Sequence, residues 1–212
     1  MTVPSNASTV PGFGAPVDDA QRVFRSVLEA MARPTTTFPV DVDLTAPGGL
    51  GSGAAAIVLT LCDEYTPIWL DATLGSETAL AQWIRFHTGA AIVDTPDQAA
   101  FAVVSSLAAA PALGALNQGT DIEPHTSATV IVDTAAGAAD GRETPILVSG
   151  PGIDGTARWN ARDVPAEFVE EWRGRRSALP CGIDLIFAAR DTVFALPRTT
   201  ELTSLVDAGR GL

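Results

Sequence analysis

The polar residues whose types and spacing best suit chemistry lie near the C-terminus. Asp184 stands inside one apolar run, and Arg198, Thr199 and Thr200 follow the next apolar run after a proline. A carboxylate among apolar neighbours is costly unless a hydrogen bond or an opposite charge satisfies it. Arginine presents a planar fork of donors that suits a phosphate. The cluster therefore indicates either a pocket for a phosphate or a sugar, or a buried ion pair that fixes the chain, and we favour the ion pair.

Asp63 and Thr66 form a second polar group, in the run Asp-Glu-Tyr-Thr-Pro that precedes Trp69. Such a run is typical of a turn that ends a helix, where the polar side chains bond to the turn itself. A role at the surface, in contact with a ligand or a partner, is the alternative. The sequence leaves the two interpretations equally open.

Arg85 and His87 form a third group, just before Gly89. His87 could exchange a proton near neutral pH or contact a partner subunit. Basic residues near the end of a helix also complement the helix dipole without any further function. We prefer this ordinary interpretation.

The sequence offers no complete set of catalytic residues, so the catalytic residues remain unknown at this stage. The side chains that could bind a soft metal are scattered and lack paired spacing, and we predict no metal site: Cys62, His87, His125 and Cys181. The G-x-S-x-G pattern of a hydrolase nucleophile is missing as well. The three polar groups above are therefore candidates for ligand or partner contacts only.

The basic residues impose a chemical constraint, because all 13 of them are arginine. Without a lysine, no side chain can form a Schiff base, so a covalently bound pyridoxal phosphate is excluded. A phosphate-binding loop of the usual kind also needs a lysine. We therefore predict that this chain carries no cofactor.

Length and charge narrow the class of protein. A chain of 212 residues suits one domain, and we predict a flexible tail over residues 1–17 and a single domain over 18–212. The formal net charge of −12 argues against binding to nucleic acid or to an anionic membrane. The N-terminus lacks the basic and apolar segments of a signal peptide, which predicts a cytoplasmic protein.

The elements that must position these residues alternate between helices and strands. Apolar periodicity and breaking residues predict helices over residues 18–34, 54–61, 76–89, 107–116 and 165–176. The first is given Asp18 as its N-cap and the third Ser76, with Leu80, Trp83, Ile84 and Phe86 on its apolar face. Strands are predicted over 68–70, 91–93, 101–104, 129–132 and 146–148, with a glycine-rich linker over 134–141. A hairpin over 183–196 turns at 189–192. This order predicts an α/β fold with a mixed sheet.

An ordered set of motifs resembles the PhnH family, whose members are subunits of the bacterial carbon–phosphorus lyase machinery. The C-terminal run Pro-Cys-Gly-Ile-Asp-Leu-Ile and the later Pro-Arg-Thr-Thr are similar to the signature of that family. Further similar blocks occur in the expected order over residues 24–34, 59–70, 85–90, 119–129 and 150–153. The resemblance extends from about residue 18 to 201. Each motif alone is weak, whereas the ordered set is specific.

The resemblance implies a fold, a reaction and partners. The fold would be a three-layer mixed sheet with flanking helices, like the large domain of pyridoxal-phosphate transferases but without the cofactor. The chain would belong to a transferase complex that converts ATP and methylphosphonate into α-D-ribose 1-methylphosphonate 5-triphosphate and adenine, and it would be inactive alone. Its partners would be the other subunits PhnG, PhnI, PhnJ and PhnL, and it would form a homodimer. ATP or a phosphonate would be a ligand in the complex. The alternative is a stand-alone small-molecule-binding protein or a cofactor-free enzyme on a transferase-like fold.

Overall fold

A six-stranded mixed sheet forms the centre of the molecule. The computed structural model describes residues 10–135, 143–162, 164–165 and 167–204. Along the main sheet the strand order is β1-β8-β7-β4-β3-β2, and a second sheet has the order β6-β5-β9. The strands are β1 (Phe38–Pro39), β2 (Ile68–Leu70), β3 (Phe101–Val104), β4 (Thr129–Asp133), β5 (Glu143–Ser149), β6 (Ala157–Arg162), β7 (Asp184–Ala188), β8 (Thr192–Leu196) and β9 (Glu201–Ser204). The helices are α1 (Pro16–Ala32), α2 (Ser52–Leu61), α3 (Ala72–Gly75), α4 (Thr78–Thr88) and α5 (Phe168–Gly174).

Four neighbouring strands of the main sheet, β2, β3, β4 and β7, run parallel to one another. Strand β8 then pairs antiparallel with β7, and the short β1 pairs antiparallel with β8 at the edge. The parallel strands are apolar at almost every position because both faces of the sheet are covered. In β4, for example, Ile131 faces one core while Val130 and Val132 face the other.

Helices cover one face of the main sheet. Helix α2 lies against β4 and β7, with α1 and α4 beside it. Its residues Ala54, Ala55 and Ala56 are completely buried, and such small side chains allow the helix to approach the sheet closely. Position 53 has room for glycine only, because a Cβ on Gly53 would lie 1.9 Å from the carbonyl oxygen of Ala189. This helix is thereby seated against the turn that joins β7 to β8.

The opposite face is covered by the second sheet and α5, which is a difference from the predicted flanking helices. The segment predicted as a helix over residues 107–116 forms instead two short 3-10 turns, Leu107–Ala109 and Leu113–Ala115. Pro111 lies between the turns and has no N–H to donate, which prevents one continuous helix. Strands β6 and β9 were not predicted, because they are short: β6 has six residues and β9 has four.

Most of the predicted elements are confirmed, and their ends account for most of the corrections. Strands β2, β3, β4, β5, β7 and β8 occur where they were predicted, as do α1, α2 and α4. The predicted strand 91–93 is reduced to a single bridge at Ile92, and the predicted helix 165–176 is shortened to α5. Residues 1–9 of the predicted tail and most of the predicted linker 134–141 lie outside the described residues.

The predicted helix caps are also corrected. Helix α1 starts at Pro16 rather than at Asp18, and the Asp19 carboxylate accepts a hydrogen bond from the N–H of Ala15 at 2.8 Å. Helix α4 starts after Glu77 rather than Ser76. Phe86 does not join the buried face of α4, since 64% of it is exposed.

Candidate functional site

Asp184 and Arg198 form a nearly buried ion pair at the amino end of β7. The exposed fractions of their side chains are 13% and 18%. Asp184 Oδ1 accepts from the N–H of Arg198 at 2.7 Å, and both carboxylate oxygens accept from the guanidinium, through Nε and Nη2. Arg198 Nη1 donates to the carbonyls of Pro124 and Pro180, at 3.0 and 3.3 Å. Each guanidinium nitrogen therefore has a partner within the protein, an arrangement that joins three segments of chain.

The two threonines that follow differ in their surroundings. Thr200 is buried, and its hydroxyl donates to the carbonyl of Pro197 at 2.7 Å. Its own carbonyl accepts from the indole N–H of Trp172 at 2.9 Å, which attaches α5 to this end of the sheet. Thr199 is exposed. Only Thr199 in this cluster thus presents its side chain to solvent.

Asp63 and Thr66 bond mainly to each other in the turn that leads into β2. The Asp63 carboxylate accepts from the N–H of Tyr65 at 2.9 Å, and the N–H of Asp63 donates to the Thr66 hydroxyl at 2.6 Å. These contacts are those of a self-bonded turn. The turn is exposed, and 82% of Tyr65 is accessible to solvent.

His87 holds the N-terminal segment against α4. Its Nε2 lies 3.1 Å from the carbonyl oxygen of Val10, which also accepts from the indole N–H of Trp83 at 3.0 Å. The imidazole lies edge-on to the rings of Trp83 and Phe86, at centroid distances of 5.0 Å in each case. Arg85 is exposed, one turn before the left-handed Gly89 that ends the helix.

The structure does not bring the predicted residues into one site. The Asp63 turn and the end of α4 are neighbours, because a Cβ on Gly89 would lie 3.4 Å from Cβ of Glu64. Asp184 is separated from this pair by three strand spacings of the sheet, or roughly 14 Å. The candidates thus form two groups near the amino ends of the parallel strands.

Polar residues that the sequence analysis did not select lie at the carboxyl ends of the parallel strands. We call this end of the sheet the carboxyl edge, and the opposite end the amino edge. Asp71 follows β2, and its Oδ2 accepts from both the N–H and the hydroxyl of Ser105, each at 2.6 Å. Its Oδ1 accepts from the N–H of Leu74 at 2.8 Å and so caps α3. Asp71 is buried, with 2% of its surface exposed. It connects the carboxyl ends of β2 and β3.

Asp133 ends β4 at the same edge. Its two carboxylate oxygens accept from the N–H of Gly51 at 2.7 Å and from the N–H of Ala135 at 2.9 Å. Gly51 precedes α2, so the carboxylate faces the amino end of that helix. Burial raises the pKa of Asp133 above its ordinary value, and the two N–H bonds partly oppose this shift.

A cavity of about 280 Å³ opens between this edge and strand β6. Asp133, Ser105 and Ser106 line one side, and Trp159 and Arg162 of β6 line the other. Such a crevice outside the carboxyl ends of parallel strands is the usual place for a ligand in an open α/β sheet. The cavity is therefore a candidate ligand site.

Comparison with known proteins gives the family. The family model for bacterial phosphonate metabolism protein PhnH matches residues 11–203. The chain is also 38% identical over 190 residues to the alpha-D-ribose 1-methylphosphonate 5-triphosphate synthase subunit PhnH of Rhizobium meliloti (strain 1021), covering 90% of this chain and 93% of that relative. The chain belongs to the PhnH family. The resemblance inferred from the motifs is therefore confirmed.

Two signals in this PhnH family member could have pointed to the cavity. Asp133 directly follows a buried strand, which places an acid at the carboxyl edge of a parallel sheet. Ser105 and Ser106 follow β3, the neighbouring strand of the sheet, in the same way. Trp159 carried no such signal, because β6 was not recognised as a strand.

The remaining titratable groups add little to this site. Burial raises the pKa of the Cys62 thiol, with the charge of Asp63 as a smaller cause. Within the described ranges, no three histidine, cysteine or acidic side chains are grouped as a metal ion would require. Of the helices described, none is both long and apolar enough to cross a membrane.

Proposed function

We propose that this chain is the PhnH subunit of alpha-D-ribose 1-methylphosphonate 5-triphosphate synthase and that it serves phosphonate catabolism by the carbon–phosphorus lyase system. The observation that carries the proposal is the match to the family over residues 11–203 together with the relative of that name. The reaction would join methylphosphonate to C1 of the ribose of ATP, with release of adenine. The phosphonate oxygen replaces the base nitrogen, and the base leaves with a proton.

Within that complex, we expect the chain to act by assembly and by shaping a larger site. The conspicuous polar groups support this role, because Asp184, Arg198 and Thr200 bond to the protein itself. The partners would be PhnG, PhnI, PhnJ and PhnL. No lysine is available to hold an aldehyde cofactor, so the subunit would work without one.

The finer features of the fold and its location belong to the same proposal. Four parallel strands with helices on one face support a likeness to the large domain of pyridoxal-phosphate transferases. We expect the subunit in the cytoplasm, where ATP is present.

We also expect a homodimer, and α1 supplies the apolar surface for it. Val17, Phe24 and Leu28 lie along one stripe of α1 and are 81%, 50% and 57% exposed. The mean hydropathy of the chain is positive, at +0.22, which supports burial of apolar surface in a dimer. Light scattering at micromolar concentration should give twice the mass of the chain, and Phe24→Asp with Leu28→Asp should give the mass of one chain. A monomeric mass for the unaltered protein contradicts the dimer.

The subunit role is tested by purification and reconstitution. A tagged chain isolated from phosphate-starved cells should carry PhnG, PhnI and PhnL with it. In reconstitution, adenine release from ATP and methylphosphonate should require this chain, and the chain alone should release none. Release by a complex that lacks the chain contradicts the subunit role. Release by the isolated chain contradicts a role in assembly alone.

The second candidate function is that of a free-standing small-molecule-binding protein or a cofactor-free enzyme. The cavity at the carboxyl edge favours it, because a crevice outside the carboxyl ends of parallel strands is the usual ligand site of an open α/β sheet. Recovery of the tagged chain without any phosphonate protein, together with binding of a small ligand by the chain alone, would support this alternative.

A further inference from the structure

Two adjoining depressions form one groove beside β6. The first is the cavity of about 280 Å³ described above, and the second has about 360 Å³. Ligand pockets in proteins commonly measure about 300–1,000 Å³, so the two together suit a ligand of nucleotide size. We call them the aromatic groove, after the residues that both share: Thr134, Trp159, Asn160, Phe187 and Phe194.

Three aromatic side chains form the wall between the two halves. Phe187 and Phe194 stack in parallel at a centroid distance of 4.6 Å, and Trp159 meets them at 5.2 and 5.7 Å. Phe187 is buried, whereas Trp159 and Phe194 are only partly buried. Their accessible ring surface can pack against a flat ring, and such contacts between aromatic groups are favourable.

The inner half of the groove offers hydroxyls and an arginine. Ser105, Ser106 and Arg162 line it. The Ser106 hydroxyl accepts the N–H of Ala109 at 3.2 Å, and a hydroxyl can also donate one hydrogen bond and accept a second. The carboxylate of Asp133 is 3% exposed and bonds to the N–H that precedes α2, so it faces that helix rather than the groove.

The outer half offers hydroxyls and one cation. It is lined by Thr35, Thr37, Thr192 and Arg158. Arg158 makes no ion pair within the described part of the chain, and its Nε donates to Asn160 at 2.9 Å. Its guanidinium is exposed at the mouth of the groove, where it can meet a phosphate.

Thr35 adds an independent sign of function. Its φ of +70° is unusual for a β-branched residue, because a branched side chain is strained in the left-handed region. Strained residues of this kind cluster at ligand and active sites. This strain lies in the wall of the outer half rather than in a remote loop.

We propose that the aromatic groove binds the nucleoside part of a purine nucleotide. The base packs against Trp159 and Phe194, beside the serine hydroxyls of the inner half. The ribose and its first phosphate lie among the outer threonines, with the phosphate at Arg158. The proposal rests on the proposed function for the choice of nucleotide, whereas the arrangement of aromatic, hydroxyl and cationic groups comes from the groove itself. Free methylphosphonate has no ring that could pack against this wall.

The test measures binding of AMP, adenosine and methylphosphonate to the purified chain by titration calorimetry. AMP and adenosine should bind saturably, and methylphosphonate should not. Trp159→Leu should weaken both nucleosides at least tenfold. Arg158→Gln should weaken AMP several-fold and leave adenosine unchanged, while Arg173→Gln, on exposed α5, should change neither. A thermal melt of each variant separates lost binding from lost folding, and the exposed Arg158 keeps the test valid if Trp159→Leu does not fold.

The results that would overturn the proposal are absence of saturable AMP and adenosine binding, or equal weakening of AMP by the two arginine variants. Failure of the subunit role is a separate result. If the chain assembles with PhnG, PhnI and PhnL but binds no nucleoside, the groove proposal fails and the subunit role remains. If it binds AMP without assembling, the groove proposal stands alone.

Discussion

The two edges of the main sheet use polar residues in different ways. At the amino edge, Asp184 and Arg198 bond to each other and to neighbouring carbonyls, and Asp63 and Thr66 bond within one turn. At the carboxyl edge, Asp133 accepts only two backbone N–H groups beside a cavity. Residues with a conspicuous sequence pattern thus join segments of the fold, while inconspicuous ones line the space where a ligand can enter.

The difference follows from how parallel strands are connected. At the carboxyl edge, the chain leaves neighbouring strands toward opposite faces of the sheet, and a crevice opens between the departing segments. Here α2 covers one face and β6 the other, so Asp133 lies between them. At the amino end of β7, the Asp184 carboxylate and the carbonyls of Pro124 and Pro180 converge on Arg198. Every nitrogen of its guanidinium therefore has a hydrogen-bond partner.

The largest effect is expected at the amino edge. Arg198→Ala should lower the free energy of unfolding by about 3–5 kcal/mol, because it leaves the nearly buried Asp184 charge without its partner. Denaturant unfolding measures this loss. As a control, Arg173→Ala removes an exposed pair with Glu170 and should cost less than about 1 kcal/mol. Equal effects of the two substitutions would refute a structural role for the amino-edge pair.

The next largest effect is expected where α2 packs against the turn between β7 and β8. Gly53→Ala places a Cβ against the Ala189 carbonyl, and such overpacking should cost about 1–3 kcal/mol in the free energy of unfolding. Gly174→Ala is the matched control, since no atom lies within 4 Å of its added Cβ. In helix α5 that change should stabilise the protein by roughly 0.5–1 kcal/mol. A Gly53→Ala protein as stable as the parent would show that α2 can move away from the turn.

Asp133 should give a smaller effect that depends on pH. In Asp133→Asn one backbone N–H loses its acceptor, at a cost of about 1–2 kcal/mol. Burial raises the pKa of Asp133 above the ordinary 3.8, so the folded protein binds this proton more tightly than the unfolded chain does. The unaltered protein therefore loses stability as pH rises from 3.8 through the folded pKa, and the variant lacks this loss.

The deficit of Asp133→Asn should accordingly shrink as pH rises. Urea unfolding of both proteins at a series of pH values checks this sign, with exposed Asp94→Asn as the control. A deficit that grows with pH would mean that the N–H bonds outweigh burial at this carboxylate.

The smallest effect is expected at Ser105. Ser105→Ala removes the hydroxyl bond to Asp71 but keeps the N–H bond, so it should cost about 1 kcal/mol. Thermal unfolding detects a change of this size. Ser76→Ala, which removes an exposed hydroxyl bond to the Thr73 carbonyl, should be nearly neutral. Similar values for the two serines would mean that burial at the carboxyl edge adds nothing to this bond.

The fold was predictable where periodicity is strong. Strands β4 and β7 each contain a continuous apolar run, and α4 ends at a glycine in the left-handed conformation. The second sheet was harder to predict from the sequence, because β6 alternates exposed polar residues with Trp159 and Ala161 over only six positions. The single bridge at Ile92 shows that an apolar run also needs a partner strand in register before it forms a strand.

The sequence by itself determined the family, through an ordered set of motifs, and the exclusion of Schiff-base chemistry, through the absence of lysine. Both follow from which residues are present and in what order, so neither needs a fold. Only the tertiary structure decided which polar residues lie together. Phe194 comes from β8 of the main sheet, whereas Trp159 and Arg158 come from β6 of the second sheet, and only the packing of one sheet against the other brings their side chains to one groove.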